Sequence, residues 1–176
     1  IAPTNASFQA FVTAMRVSVG EERTKQWLEE LIANDVQTFE NNLAILDAVN
    51  AGTVELGLAN HYYLFEKAAE VGAENLAVRN AAFQSGDPGN LVNVAGAAVL
   101  TSGADNAASE QFVDFLLSDE AQEYFAEETS EYPLVEGIAA REDLPPLSQI
   151  DGPDLTLDQL ADLRGTQDLL IQVGLL

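Results

Sequence analysis

The chain has 176 residues, enough for one domain, or for one and a part of a second. Hydrophobic residues make up 47% and charged residues 20%, so a core can be buried and wholesale disorder is excluded. Seven basic against 29 acidic residues leave a formal charge of −22, a field that repels nucleic-acid phosphates and anionic lipid and so argues against both as partners. One His and no Cys exclude zinc fingers, iron–sulfur centres, thiol catalysis and disulfides. No apolar run reaches the ~18–20 residues of a membrane span, so direct membrane insertion is not expected. The acidic surface suits either a salt-rich setting or a general compositional habit.

In chain order, Ile1-Ala2-Pro3-Thr4 reads as extended, with Thr4, Asn5 and Ser7 competing to cap a first helix. Phe8, Phe11, Val12, Met15 and Val19 then recur at helical spacing, and Gly20 stops the run. A second helix is predicted from Glu21 to Ile32, burying Trp27, Leu28, Leu31 and Ile32. Val36 to Phe39 reads as a short strand, and Asn41-Asn42 cap a third helix carrying Leu43, Leu46 and Val49. Val54 to Ala59 reads as a buried strand running into Asn60-His61-Tyr62-Tyr63, with a helix from about Leu64 to Val71 behind it. Ala73 to Asn90 is loop-rich, and Leu91 to Thr101 reads as a second buried strand. Ser109 to Leu117 and Asp119 to Ala126, the latter capped by Ser118, are predicted helices. Leu155 to Leu163 and Thr166 to Val173 are expected to close the chain as two more. Helices alternating with apolar strands through short joins indicate an α/β fold.

The stretch richest in chemistry is Asn60-His61-Tyr62-Tyr63, at the carboxyl end of a predicted strand, where open α/β sheets gather ligands. Phenolate is a hard anionic donor suited to a trivalent cation such as Fe³⁺, which is acidic enough to displace a proton that ordinarily leaves near pH ~10. Side chains adjacent on a regular helix diverge by about 100°, so sharing one ion calls for an irregular strand-to-helix turn. The competing reading is packing, with two wet hydroxyls. Thr4-Asn5-Ala6-Ser7 at one helix start and Asn41-Asn42 at another offer amides and unpaired backbone N–H groups to an anion, or simply cap their helices. An anion beside a cation would complete a ferric coordination shell. Enzyme readings are poorer. One His supports no confident Ser-His-Asp set, and no phosphate-binding Gly-rich loop occurs.

Several blocks resemble the bacterial ferric-iron-binding proteins, the substrate-binding components of iron ABC transporters. They are Ala2-Pro3-Thr4-Asn5-Ala6-Ser7-Phe8-Gln9-Ala10-Phe11, Glu40-Asn41-Asn42-Leu43-Ala44-Ile45, Gly57-Leu58-Ala59-Asn60-His61-Tyr62-Tyr63 and Asp114-Phe115-Leu116-Leu117-Ser118-Asp119-Glu120-Ala121-Gln122. Glu131-Tyr132-Pro133-Leu134 and the Val173-Gly174-Leu175-Leu176 ending are similar too. The resemblance implies an α/β fold of the type II periplasmic-binding-protein kind, with helices on both sides of a mixed sheet. It implies a ferric ion on Tyr62 and Tyr63, and a synergistic anion (phosphate or carbonate) held by Asn5, Ala6, Ser7, Asn60 and either Asn41 or Asn42. His61 lies inside the motif as a possible additional ligand.

Members of that family are considerably longer, and this chain matches their C-terminal part. Residues 1–92 would belong to the second lobe, 93–143 to the first, and 144–176 would return to the second. The N-terminal half, with its further ligands, is absent from this sequence. The resemblance further implies delivery to a membrane permease from a periplasmic or extracellular location, with a lipid anchor as an option for a longer form. Two rival expectations stand beside it. One is the same fold holding a small organic or oxyanionic solute, such as a phosphonate or polyamine. The other is a hydrolase or isomerase using His61 as a base.

Overall fold

A computed structural model describes residues 1–176, which divide into two compact units. One combines Ile1–Asn93 with Ile150–Leu176; the other is Val94–Gln149.

In the first unit, α1 (Ala6–Val19) starts where the Asn5 side-chain oxygen accepts from the Ser7 N–H at 2.9 Å, which settles the competition for the cap. It ends at Gly20, whose φ of 91° lets the chain turn directly into α2 (Glu21–Ala33). Glu21 and Glu22 sit at the positive end of the α2 dipole. α7 (Leu163–Val173) packs against both helices. Ile1, Phe8, Val12, Leu28, Leu169 and Leu170 form the buried core, flanked by Phe11, Trp27, Val36, Leu58, Val173 and Leu175. Phe8, Val12 and Met15 recur on one face of α1, so the 3.6-residue period read from the sequence is the period of burial.

α3 (Asn42–Asn50) is capped by Asn41, whose side chain accepts from Ala44 N–H at 2.9 Å. It lies beside α4 (Tyr62–Val71), and Lys67 ties the two by reaching Asp47 at 3.2 Å and Glu70 at 3.0 Å. The turn at Gln84–Asn90 is pinned to Asp151. Gly86 N–H donates to the Asp151 carbonyl at 2.9 Å, and the Ser85 hydroxyl bonds the Asp151 carboxylate.

The second unit holds α5 (Ala107–Leu116) and α6 (Asp119–Glu127), joined at Leu117-Ser118. Asn106 caps α5 and Ser118 caps α6. Gln122, nearly buried, donates to the Leu116 carbonyl at 2.8 Å and accepts from Leu134 N–H at 2.7 Å, which stitches the following loop to the helix pair.

Several expectations fail, among them the burial of Ile32, which is exposed. Val36–Phe39, Val54–Ala59 and Leu91–Thr101 are not strands; no residue of the chain is in one, so the mixed sheet is not formed within it. A strand exists only through a partner. The nearest approach to a ladder is one parallel rung, with Ile1 nitrogen donating to Gln37 carbonyl and Phe39 N–H donating to Ile1 carbonyl, both at 2.9 Å. Residues 92–100 are exposed rather than buried, and Thr101–Gly103 is a single 3₁₀ turn. The predicted Leu155–Leu163 helix is also reduced to a 3₁₀ turn, Leu157–Leu160. There Thr156 and Gln159 cap each other, and Asp162 restarts the chain as α7 by accepting from Gly165 N–H at 3.0 Å.

Candidate metal and anion site

The Asn60-His61-Tyr62-Tyr63 block lies where the chain passes α3 and enters α4. Gly57 makes that passage possible. A Cβ there would run into the Ile45 side chain of α3, so only a glycine lets the backbone approach so closely. His61 already has helical φ and ψ (−60°, −34°), and α4 begins at Tyr62, two residues before the predicted start. The tyrosines therefore occupy the first turn of a regular helix rather than an irregular turn. Their rings nonetheless approach to 4.6 Å between centroids, tilted by 40°. Both are half-buried, neither sealed in the core nor fully in solvent. The His61 ring stands edge-on to the Tyr62 ring, 5.6 Å between centroids.

The two asparagines at the start of α3 have different roles. Asn41 is exposed and spends its side-chain oxygen on the cap. Asn42 is 3% exposed, and its amide donates to the Asn60 side-chain oxygen at 3.0 Å. Sequence spacing leaves these two equivalent; the structure joins Asn42 to the tyrosine block. Asn5, Ala6 and Ser7 form a separate group at the start of α1, where Asn5 accepts from Ser7 N–H and Ala6 opens the helix.

Positive charge near the block is scarce. Lys67, one helical turn beyond Tyr63, is held above the usual lysine range by hydrogen bonds first to Glu70 and then to Asp47. No group of three or more His, Cys, Asp or Glu side chains could hold a metal ion. The block thus brings two phenol oxygens and the hydrogen-bonded Asn42 and Asn60 amides to the start of α3 and α4. Asn80, which belongs to no sequence motif, donates its amide to the His61 carbonyl at 2.9 Å. Nothing local marks that residue, because its partner lies 19 positions away.

Residues 1–152 match the family model described as bacterial extracellular solute-binding protein. The chain is 31% identical over 175 residues to the Fe(3+)-binding periplasmic protein of Serratia marcescens, covering 99% of this chain and 51% of that one. It is 32% identical over 174 residues to the major ferric iron-binding protein of Neisseria meningitidis serogroup B, covering 99% and 52%. The chain spans about half the length of these curated relatives. Its structure superposes on iron-bound HitA from Pseudomonas aeruginosa with a TM-score of 0.91 at 35% identity, over 98% of this chain and 56% of that one. Such structures have the type II periplasmic-binding fold, and these relatives are solute-binding transport proteins rather than enzymes. With the family match covering most of its length, this chain belongs to the bacterial extracellular solute-binding proteins.

Proposed function

We propose that this chain carries the tyrosine half of a ferric-iron site, and that it serves in the substrate-binding component of an ABC transporter. The observation that carries the reading is the Tyr62–Tyr63 ring pair, 4.6 Å apart and half-buried at the start of α4. Deprotonated, the two phenols are hard oxygen donors for Fe³⁺, which is the cargo. The Asn42 and Asn60 amides, and the N–H groups at the start of α1 around Asn5, Ala6 and Ser7, would hold a synergistic anion such as phosphate or carbonate. Asn42, joined to the tyrosine block through Asn60, takes that role in place of Asn41, whose amide nitrogen donates to Glu40 at 3.3 Å.

The names of the relatives, an Fe(3+)-binding periplasmic protein and a major ferric iron-binding protein, support iron as the cargo and the periplasm as the location. No helix is long and apolar enough to cross a membrane. Residues 1–92 and 144–176 are assigned to one lobe of the binding protein and 93–143 to the other. Capture of the ion would be followed by delivery to a membrane permease.

Ferric nitrilotriacetate provides the test on this chain itself, because the chelator fills coordination positions that the two phenols do not. Binding should bring up a visible tyrosinate-to-iron charge-transfer band, and Tyr62→Phe with Tyr63→Phe should abolish it. An unchanged band in the double variant would defeat the reading. Saturable binding of a phosphonate or polyamine in place of iron would point instead to an organic solute.

A further inference from the structure

Residues 72–80 form a strap that doubles back along α4. After Gly72 ends the helix, Ala73–Asn75 make one 3₁₀ turn, and Asn75 donates to the Val71 carbonyl at 2.6 Å. The chain then leaves extended, with Leu76 at φ −100° and ψ 124°. Ala77 N–H donates to the side-chain oxygen of Asn50, the last residue of α3, at 2.7 Å. At the far end, the Asn80 amide reaches the His61 carbonyl at 2.9 Å. Three asparagines, Asn75, Asn50 and Asn80, thus fix the strap at its start, middle and end.

The lengths explain why the strap ends where it does. The ten residues of α4 rise about 15 Å. Five residues, 76–80, span up to roughly 16 Å when extended, as Leu76 is. An extended segment of that length starting at the C-terminal end of α4 arrives level with its first turn. The carbonyl that Asn80 meets belongs to the peptide whose nitrogen is Tyr62, so this bond acts one covalent step from the phenol pair. The first turn of a helix is its weakest-held part, since its N–H groups have no partners within the helix. The His61 carbonyl also accepts from Leu64 N–H, but at 3.4 Å, a long bond that the Asn80 amide supplements.

We propose that Asn80 is a positioning residue for the Tyr62–Tyr63 pair, clamping the peptide that starts α4 so that the two rings stay together and facing the ion. This rests on the reading that the pair binds ferric iron. Asn80 does not itself touch the ion. It acts through the His61–Tyr62 peptide, and the strap sets its reach.

The test compares the chain with Asn80→Ala and Asn80→Gln by ferric nitrilotriacetate titration and by thermal unfolding. Asn80 is exposed, so neither variant threatens the core. Losing one hydrogen bond that orders the donors should weaken iron binding by about three- to tenfold in Asn80→Ala. The charge-transfer band should shift, and the unfolding temperature should change little. Asn80→Gln keeps an amide donor on an exposed side chain and should recover much of the affinity. Inserting one glycine after Ala77 moves Asn80 out of register by about 3.3 Å and should reproduce the Asn80→Ala defect. If the unaltered chain gives no band, the iron reading falls and leaves no pair to position. If it gives a band that Asn80→Ala leaves unchanged in strength and wavelength, the iron reading stands and the positioning role is overturned. A parallel loss of affinity and thermal stability that Asn80→Gln does not reverse makes Asn80 merely structural and overturns the proposal as well.

Discussion

Thr13 and Thr166, 153 positions apart, share a hydroxyl–hydroxyl hydrogen bond of 2.7 Å between α1 and α7, and both are essentially inaccessible to solvent. Thr13 donates its own proton to the Gln9 carbonyl at 2.9 Å, so the shared proton comes from Thr166. Thr166 in turn accepts from Arg16 at 3.0 Å. The result is a one-directional chain, Arg16 to Thr166 to Thr13 to the α1 backbone, that satisfies two buried hydroxyls between apolar helix faces.

Removing both hydroxyls together should cost less than the two single removals added up. Thr166→Val keeps the shape but deprives Thr13 of a donor and Arg16 of an acceptor, a loss of about 1–3 kcal/mol. Thr13→Val should cost a similar amount. The double variant should be clearly less destabilised than the sum, as read by urea unfolding in a double-mutant cycle.

Arg16 also bridges Glu21 at 2.8 Å and Asp162 at 3.0 Å. The Gly165 N–H first, and Arg16 second, hold the Asp162 carboxyl below the usual aspartate range. A depressed carboxylate stabilises the fold above its unfolded pKa, about 3.9, and that contribution disappears as pH falls through the lower folded value. Asp162→Asn should therefore melt below the unaltered chain at neutral pH. The gap should close on acidification below pH ~4, as followed by circular dichroism.

Leu28 is fully buried in the core beneath α1 and α7. Leu28→Ala should cost about 2–5 kcal/mol in chemical denaturation. The nearby exposed Ile32→Ala change should cost far less.

Gly57→Ala should harm the site as well as the fold. The added methyl meets the Ile45 side chain and forces the segment away from α3. The direct cost is about 1–3 kcal/mol. The Asn42–Asn60 hydrogen bond should be strained with it, so iron affinity should drop more than stability alone predicts. Trimming the obstacle with Ile45→Val in the Gly57→Ala background should restore part of both.

Helix starts were legible because their chemistry is local: Asn5 and Ser118 cap the helices their side chains announce. Asn106 carries the same signal, and its cap starts α5 at Ala107, two residues before the expected start at Ser109. That the apolar segments stay unpaired was not legible. Val54 to Ala59 and Leu91 to Thr101 advertise an apolar character, but pairing depends on backbone that no short window of sequence specifies. At the site, two adjacent tyrosines after an asparagine were conspicuous. The division of labour between Asn41 and Asn42 was not, because it turns on which amide faces Asn60. Asn80 could be found only once α4 and its returning strap were placed side by side.

The first unit is assembled from two stretches separated by the whole of the second. On the ribosome, the apolar stripe of α1 therefore emerges long before α7, its cover. At roughly 5–20 residues per second, 153 positions correspond to a wait of about 8–30 s. Through that interval Phe8 and Val12 lack Leu169 and Leu170, so the core of this unit closes only when the final helix has left the ribosome.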